Sequence, residues 1–309
     1  MKDNCPRNRE FTVYVPATSA NLGPGYDVIG VALDIYNEFH VTMGGTKKLD
    51  IEIEGEGADA IPRDENNLIY KSTLAGCKMA GVGVPNIRIH QKNAIPLNRG
   101  MGSSATAVLG GLMIAREIAG DRLEADDMIS LAIDIEGHPD NLMAAYMGGV
   151  VINYKRDGIY RGVKFIPPEP LRAVLVVPDI QVSTKMAREL LPDSYKIKDV
   201  VSNLGNISLL IHALHTGQYR LLREAMEDTI HQPYRAELIP GFNDVVESAK
   251  KSGAWGCAIS GSGSTVIAFC SENGNEIAEA MKNAFKKHSV NSVSMITDIS
   301  DKGACLEVG

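Results

Sequence analysis

Pro96-Leu97-Asn98-Arg99-Gly100-Met101-Gly102-Ser103-Ser104-Ala105-Thr106 leads directly into the largely apolar run that ends at Ala119. Two glycines and two serines thus stand at the amino end of a helix predicted over Ser103–Ala119, with Gly120 as its stop. The first turn of a helix has N–H groups without intrahelical partners and about half a unit of positive charge. Glycine lets a ligand approach that backbone without a Cβ in the way. A serine hydroxyl at the same point can cap the helix or coordinate Mg²⁺. The stretch predicts an anion site, and phosphate is its natural occupant.

Rival readings of the loop fail on spacing. Gly100-x-Gly102-x-x-Ala105 resembles a dinucleotide fingerprint, but eight residues, Lys92 to Arg99, separate it from the preceding strand pattern. Asp121 follows a helix where that fingerprint needs an acid ending a strand. The Gly-Lys-Ser/Thr of a Walker loop is absent, and so is a G-x-S-x-G elbow. Two other glycine-rich segments, Pro16–Asp27 and Ser260–Thr265, lie far away in sequence. Three such loops of different chemistry predict a phosphate-transfer site assembled from distant parts of the fold.

Outward from the loop, strand patterns cover Phe11–Val15, Asn37–Met43, Asp50–Glu54 and Asn86–Gln91. A second helix is predicted from Glu124 to Glu136, its acidic first turn suited to the helix dipole, with Gly137 and Pro139 ending it. Asp157-Gly158 between Gly149–Tyr154 and Ile159–Phe165 predicts a hairpin. Pro167, Pro168 and Pro170 then mark a boundary, giving units 1–166 and 167–309. The second unit reads as a strand at Leu171–Val177, a helix through Val200, Leu204, Ile207, Ile211 and Leu214 to Gly217, and a helix at Asn243–Lys251. Strands at Trp255–Ser260 and Thr265–Cys270, a helix at Glu276–Lys287 and a strand at Val293–Ile299 complete it.

A chain of 309 residues exceeds the size at which one core usually stops growing, which agrees with two domains and a cleft between them. The formal net charge of −7 and scattered Lys and Arg argue against nucleic acid as a partner. Phosphates must then be held by backbone amides, a helix terminus, a metal and a few placed cations. Five separated cysteines without a C-x-x-C pair predict free thiols instead of a disulfide framework or zinc site. No apolar run reaches the roughly 18 residues of a membrane span, and a soluble, cytoplasmic setting is expected.

Four ordered segments together resemble the GHMP small-molecule kinases. Pro96–Thr106 resembles the second motif of that family, and Pro16–Asp27 its first motif in the homoserine kinase form. Glu136-Gly137-His138-Pro139-Asp140-Asn141 and Gly256–Gly263 complete the set in order, so the resemblance runs from about residue 12 to about residue 300. It implies an α+β, two-domain GHMP kinase fold: an N-terminal domain like the second domain of a ribosomal small-subunit protein, and a C-terminal ferredoxin-like domain. The implied reaction is ATP-dependent phosphorylation of the γ-hydroxyl of L-homoserine.

The resemblance also implies roles. Asn21 and Asp27 would contact the amino acid, Asp27 as counter-ion of its ammonium; Arg188 and Arg235 would clamp its carboxylate, and Thr184 and His138 would supply neutral contacts. A planar guanidinium suits a carboxylate bidentately where lysine would not. Ser103 and Glu136 would carry the catalytic Mg²⁺. Pro96, Arg99, Gly100, Gly102, Ser103, Ser104 and Ala105 would surround the nucleotide, joined by Asn67 and Lys92 on the adenine side. Ser264 stands where the family often has proline, which predicts a looser third loop, and no general base is assigned. Family members often dimerise, so a homodimer is expected, although no interface is readable.

Overall fold

Strict alternation builds the strands nearest the site. In β4 (Ile87–Asn93) Ile87, Ile89, Gln91 and Asn93 are buried, whereas Arg88 and Lys92 are exposed. This strand belongs to a sheet with β1 (Arg9–Asn21), β2 (Gly25–Met43), β3 (Leu49–Gly55), β5 (Val150–Arg156) and β6 (Ile159–Phe165). The computed structural model describes residues 9–308, so Cys5 lies outside the described residues. Only β3 and β4 pair in parallel within this sheet. Against it pack α1 (Leu68–Met79), α2 (Ser103–Ala119), α3 (Ala125–Glu136) and α4 (Asp140–Met147). The predicted hairpin is β5–β6, and α2 starts and stops where the glycines placed it.

The second sheet is antiparallel and follows β7 (Arg172–Pro178). After α5 (Thr184–Glu189), α6 (Ile197–Thr216), α7 (Leu222–Ala225), α8 (Gln232–Arg235) and α9 (Phe242–Lys251) come β8 (Gly256–Ile259), β9 (Val266–Cys270), α10 (Gly274–Lys287) and β10 (Ser292–Asp298). The spatial order β10-β7-β9-β8 is the fourth-first-third-second arrangement of a ferredoxin-like unit. Strand β7 is buried on both faces, as its unbroken apolar run requires. Ala173, Leu175 and Val177 face Leu210, Leu214 and the β2 residues Ile29 and Leu33, while Val174 and Val176 face Ile277, Met281 and Phe285. The apolar cluster on the first of these faces therefore joins the two sheets.

Three expectations need correction. The first glycine-rich segment is mostly strand: β1 continues to Asn21 and β2 begins at Gly25, leaving only a tight turn at Leu22–Pro24. Pro139 ends α3 but also serves as N-cap of α4, so a stop signal hides a start. Last, the 167–309 stretch does not keep its final strand. β11 (Cys305–Val308) returns to the first sheet and pairs with β1, Tyr14 opposite Cys305 and Phe11 opposite Val308.

Candidate active site

The three glycine segments meet through their backbones. Thr18 donates its N–H to Met101 O at 3.1 Å, Gly261 to Ala20 O at 3.0 Å, and Thr265 to Arg99 O at 3.0 Å. Gly100 has φ +77, and a Cβ there would collide with Ser260 O; Gly102 has φ +73, and a Cβ there would collide with Thr18 Oγ1. Both positions need glycine for conformation and for closeness. The third loop is tied rather than loose. Ser264 is fully buried and donates its hydroxyl to Ile180 O, and Ser260 Oγ donates to Gly100 O at 2.6 Å.

Around this junction lie two clefts that share Asn98, Ser103 and Ser104 as a common wall. The first, about 600 Å³, brings together Asn21, Asp27, Arg99, Gly100, Gly102, Ser103, Ser104, Glu136, His138, Thr184, Arg188 and Arg235. Its charged groups are already bonded. Arg188 holds Asp27 bidentately, Nη2 to Oδ1 at 2.7 Å and Nη1 to Oδ2 at 2.9 Å. Burial works against the charged form of Arg188, but the hydrogen bond and charge of Asp27 outweigh it and raise its pKa. The expected ammonium partner and the expected carboxylate partner thus satisfy each other.

Arg235 is buried, donating Nη1 to Gly261 O at 3.0 Å and Nε to Ala187 O at 3.3 Å. Burial lowers its pKa from the ordinary arginine value. Asn21 spends both ends of its amide, donating to Gly261 O and accepting from Asp27 N. His138 Nδ1 lies 2.9 Å from Asp140 Oδ1. Burial disfavours its charge, yet Asp140 and Glu136 together raise its pKa above the usual histidine value. Asp140 sits two residues on in the same motif, where i+2 proximity makes it legible.

Glu136 is the last residue of α3, placed at the cleft by the left-handed Gly137 cap. Its Oε2 accepts from Ser104 Oγ at 2.8 Å, while its Oε1 lies 4.0 Å from His138 Nε2. Burial raises its pKa, against the pull of the Ser104 hydroxyl. Among the described residues no group of three or more His, Cys, Asp or Glu side chains is arranged to hold a metal alone. The donor set nevertheless fits Mg²⁺: a desolvated carboxylate and the Ser103 hydroxyl are hard oxygen donors of the kind that share this ion with substrate phosphates.

The second cleft, about 680 Å³, is lined by Phe39, Ile61, Leu68, Ile69 and Leu97 with a few amides. Asn67 reaches it as N-cap of α1, accepting from Ile69 N and donating to Pro62 O. Lys92 does not reach it. Strand alternation turns Lys92 outward and puts its neighbours Gln91 and Asn93 on the wall instead. Pro96 and Ala105 line neither cleft: Pro96 is buried, and the Ala105 side chain is part of the core behind α2, leaving only its first-turn N–H for a ligand. Arg99 pairs through Nη2 with Asp179 at 2.9 Å, and its buried Nη1 has no partner among the described residues.

Residues 67–149 match the family described as GHMP kinases N terminal domain, and residues 210–287 match GHMP kinases C terminal. The homoserine kinase of Carboxydothermus hydrogenoformans is 43% identical over 294 residues, covering 94% of this chain and 95% of its own. That of Halothermothrix orenii is 40% identical, with 96% of each chain covered. The crystal structure of homoserine kinase from Cytophaga hutchinsonii superposes with a TM-score of 0.86 at 30% identity, covering 99% of this chain and all of the other.

Proposed function

The chain belongs to the homoserine kinases of the GHMP kinase family, and from that membership and the two-part cleft we infer how its residues carry out ATP-dependent phosphorylation of the γ-hydroxyl of L-homoserine. The product, O-phospho-L-homoserine, belongs to threonine biosynthesis. The observation that carries the assignment of roles is the shared wall: Ser103 and Ser104 open α2 between a charged cleft and an apolar one. The nucleoside takes the apolar cleft, near Asn67, Gln91 and Asn93. The triphosphate lies along the N–H groups of Gly100 to Ala105, with the unpartnered Arg99 Nη1 as a further donor. Bound there, Mg²⁺ would neutralise phosphate charge, held by Glu136 and Ser103.

Homoserine takes the charged cleft by exchange. Its ammonium replaces Arg188 at Asp27, and its carboxylate replaces Asp27 at Arg188 with Arg235 alongside. One internal ion pair becomes two pairs with the ligand, so a substrate carrying only one of the charges leaves a half-buried partner unsatisfied. That mismatch costs about 1–3 kcal/mol or more. Asp140 is engaged by His138 and by the Asn141 N–H, so it is held and not presented to the hydroxyl. Alignment and charge neutralisation are sufficient for phosphoryl transfer, and no residue is assigned as base.

A coupled ADP-release assay tests the reading with homoserine, 3-amino-1-propanol, 4-hydroxybutyrate and mevalonate as acceptors. Homoserine should exceed each of the others in kcat/KM by roughly 100-fold or more. Comparable turnover of mevalonate would replace this reading with that of another GHMP small-molecule kinase. We further infer a cytoplasmic homodimer; among the described residues no helix is long and apolar enough to cross a membrane.

A further inference from the structure

Two arginines of like charge occupy one wall of the charged cleft, and something must hold them there. The side chain within reach of both is Tyr26, a residue of the first motif to which no role has been given. The Arg188 guanidinium carbon lies 5.4 Å from the centre of the Tyr26 ring, and that of Arg235 lies 5.1 Å from it. The phenol oxygen accepts from Arg188 Nη1 at 2.6 Å, a bond separate from the two that Arg188 makes to Asp27. The ring also tilts against His231, with the ring centres 5.3 Å apart. His231 Nε2 donates to Gly23 O at 2.7 Å, three residues before Tyr26, which leaves Nδ1 as acceptor 3.3 Å from Arg235 Nη1.

Resting on the functional reading above, we propose that Tyr26 is the positioning residue of the substrate-carboxylate clamp. Its electron-rich face and phenol oxygen hold the Arg188 and Arg235 guanidinium groups side by side, so that one carboxylate can meet both. An aromatic ring attracts cations at its face, and an aliphatic side chain of similar size does not. The phenol oxygen adds directionality, because it fixes one Arg188 nitrogen while the rest of the fork is exchanged between Asp27 and the ligand. Tyr26 touches no reacting atom in this scheme. Its effect belongs to recognition of the amino-acid carboxylate and not to nucleotide binding.

The full-length Tyr26→Leu and Tyr26→Phe variants test this, with KM measured for homoserine, for ATP and for the carboxylate-free analogue 3-amino-1-propanol. Tyr26→Leu should raise the homoserine KM by about tenfold or more, leave the ATP KM within about twofold, and leave kcat/KM for the analogue nearly unchanged. Tyr26→Phe keeps the ring and loses the hydroxyl, so it should fall between, at about two- to fivefold. Equal losses for homoserine and the analogue, or a homoserine KM unmoved in Tyr26→Leu, would overturn the inference while leaving the functional reading intact. If Tyr26→Leu fails to fold by circular dichroism, Tyr26→Phe decides alone, and an unmoved homoserine KM overturns it. A wild type inactive on homoserine overturns both.

Discussion

The two clefts that share the α2 amino end solve recognition in opposite ways. In the charged cleft nearly every polar side chain already has an internal partner: Asp27 with Arg188, Arg235 with Gly261 O, Asn21 with Gly261 O, His138 with Asp140. In the apolar cleft the walls are Phe39, Ile69 and Leu97, and the buried Gln91 amide nitrogen has no partner among the described residues. A ligand on the first side must exchange bonds, so the gain is small unless both of its charges fit. A ligand on the other side adds contacts without breaking any. Discrimination should therefore concentrate where the protein is self-satisfied, and generic affinity where it is not.

The sharpest way to break the contrast is at the junction, where neither description applies. Glu136→Gln keeps the Ser104 hydrogen bond but removes the charge, and kcat should fall by roughly 100-fold or more across a magnesium titration, with the fold intact by circular dichroism. Turnover at the wild-type level would remove Glu136 from the metal site. Next in size, Arg188→Leu should raise the homoserine KM by about tenfold or more with the ATP KM little changed, because a charge-assisted contact is worth about 1.5–3 kcal/mol. A parallel rise in both constants would show that the clefts are not separable. On the nucleotide side, Gln91→Leu should raise the ATP KM only about two- to tenfold, the range of one neutral hydrogen bond, and should not lower the melting temperature. A shift in homoserine KM would contradict its placement.

The smallest effect concerns pH. Burial lowers the His231 pKa from 6.5 to about 4, so the folded protein holds this side chain neutral. The stability this represents is present above the unfolded pKa of 6.5 and is lost as pH falls through the folded value of about 4. The melting temperature should drop by roughly 5 °C or more over that window, and His231→Gln should flatten the drop. An identical profile in the variant would place the titration elsewhere.

What the sequence made legible follows from the range of the physics involved. The start of α2 at Ser103, its Gly120 stop and the Asp157-Gly158 hairpin are local, set by residues within one turn of each other. The Lys92 assignment went against a signal that was present: Ile87, Ile89 and Gln91 define the inward face, and period two turns Lys92 away. Helix α1 escaped because Asn67 was read as a ligand contact and not as the cap it forms. The Asp27–Arg188 pair could not be read at all, since the partners are 161 positions apart and only the fold joins them. The return of β11 to the first sheet is of the same kind, decided by an edge of β1 that nothing local announces.

That returning strand has a mechanical consequence. The polypeptide passes between the two sheets twice, once after Phe165 and again after Asp298, and the second passage is fastened by Ser300 N–H to Ala32 O, Gly149 N–H to Ser300 O, and the Tyr36–Ser300 hydroxyl pair. The two sheets are thus tied at two crossings rather than one. On the proposed reading, admission of the amino acid rests on the swap of side-chain partners at Asp27, in a corner bounded by that doubly tied frame.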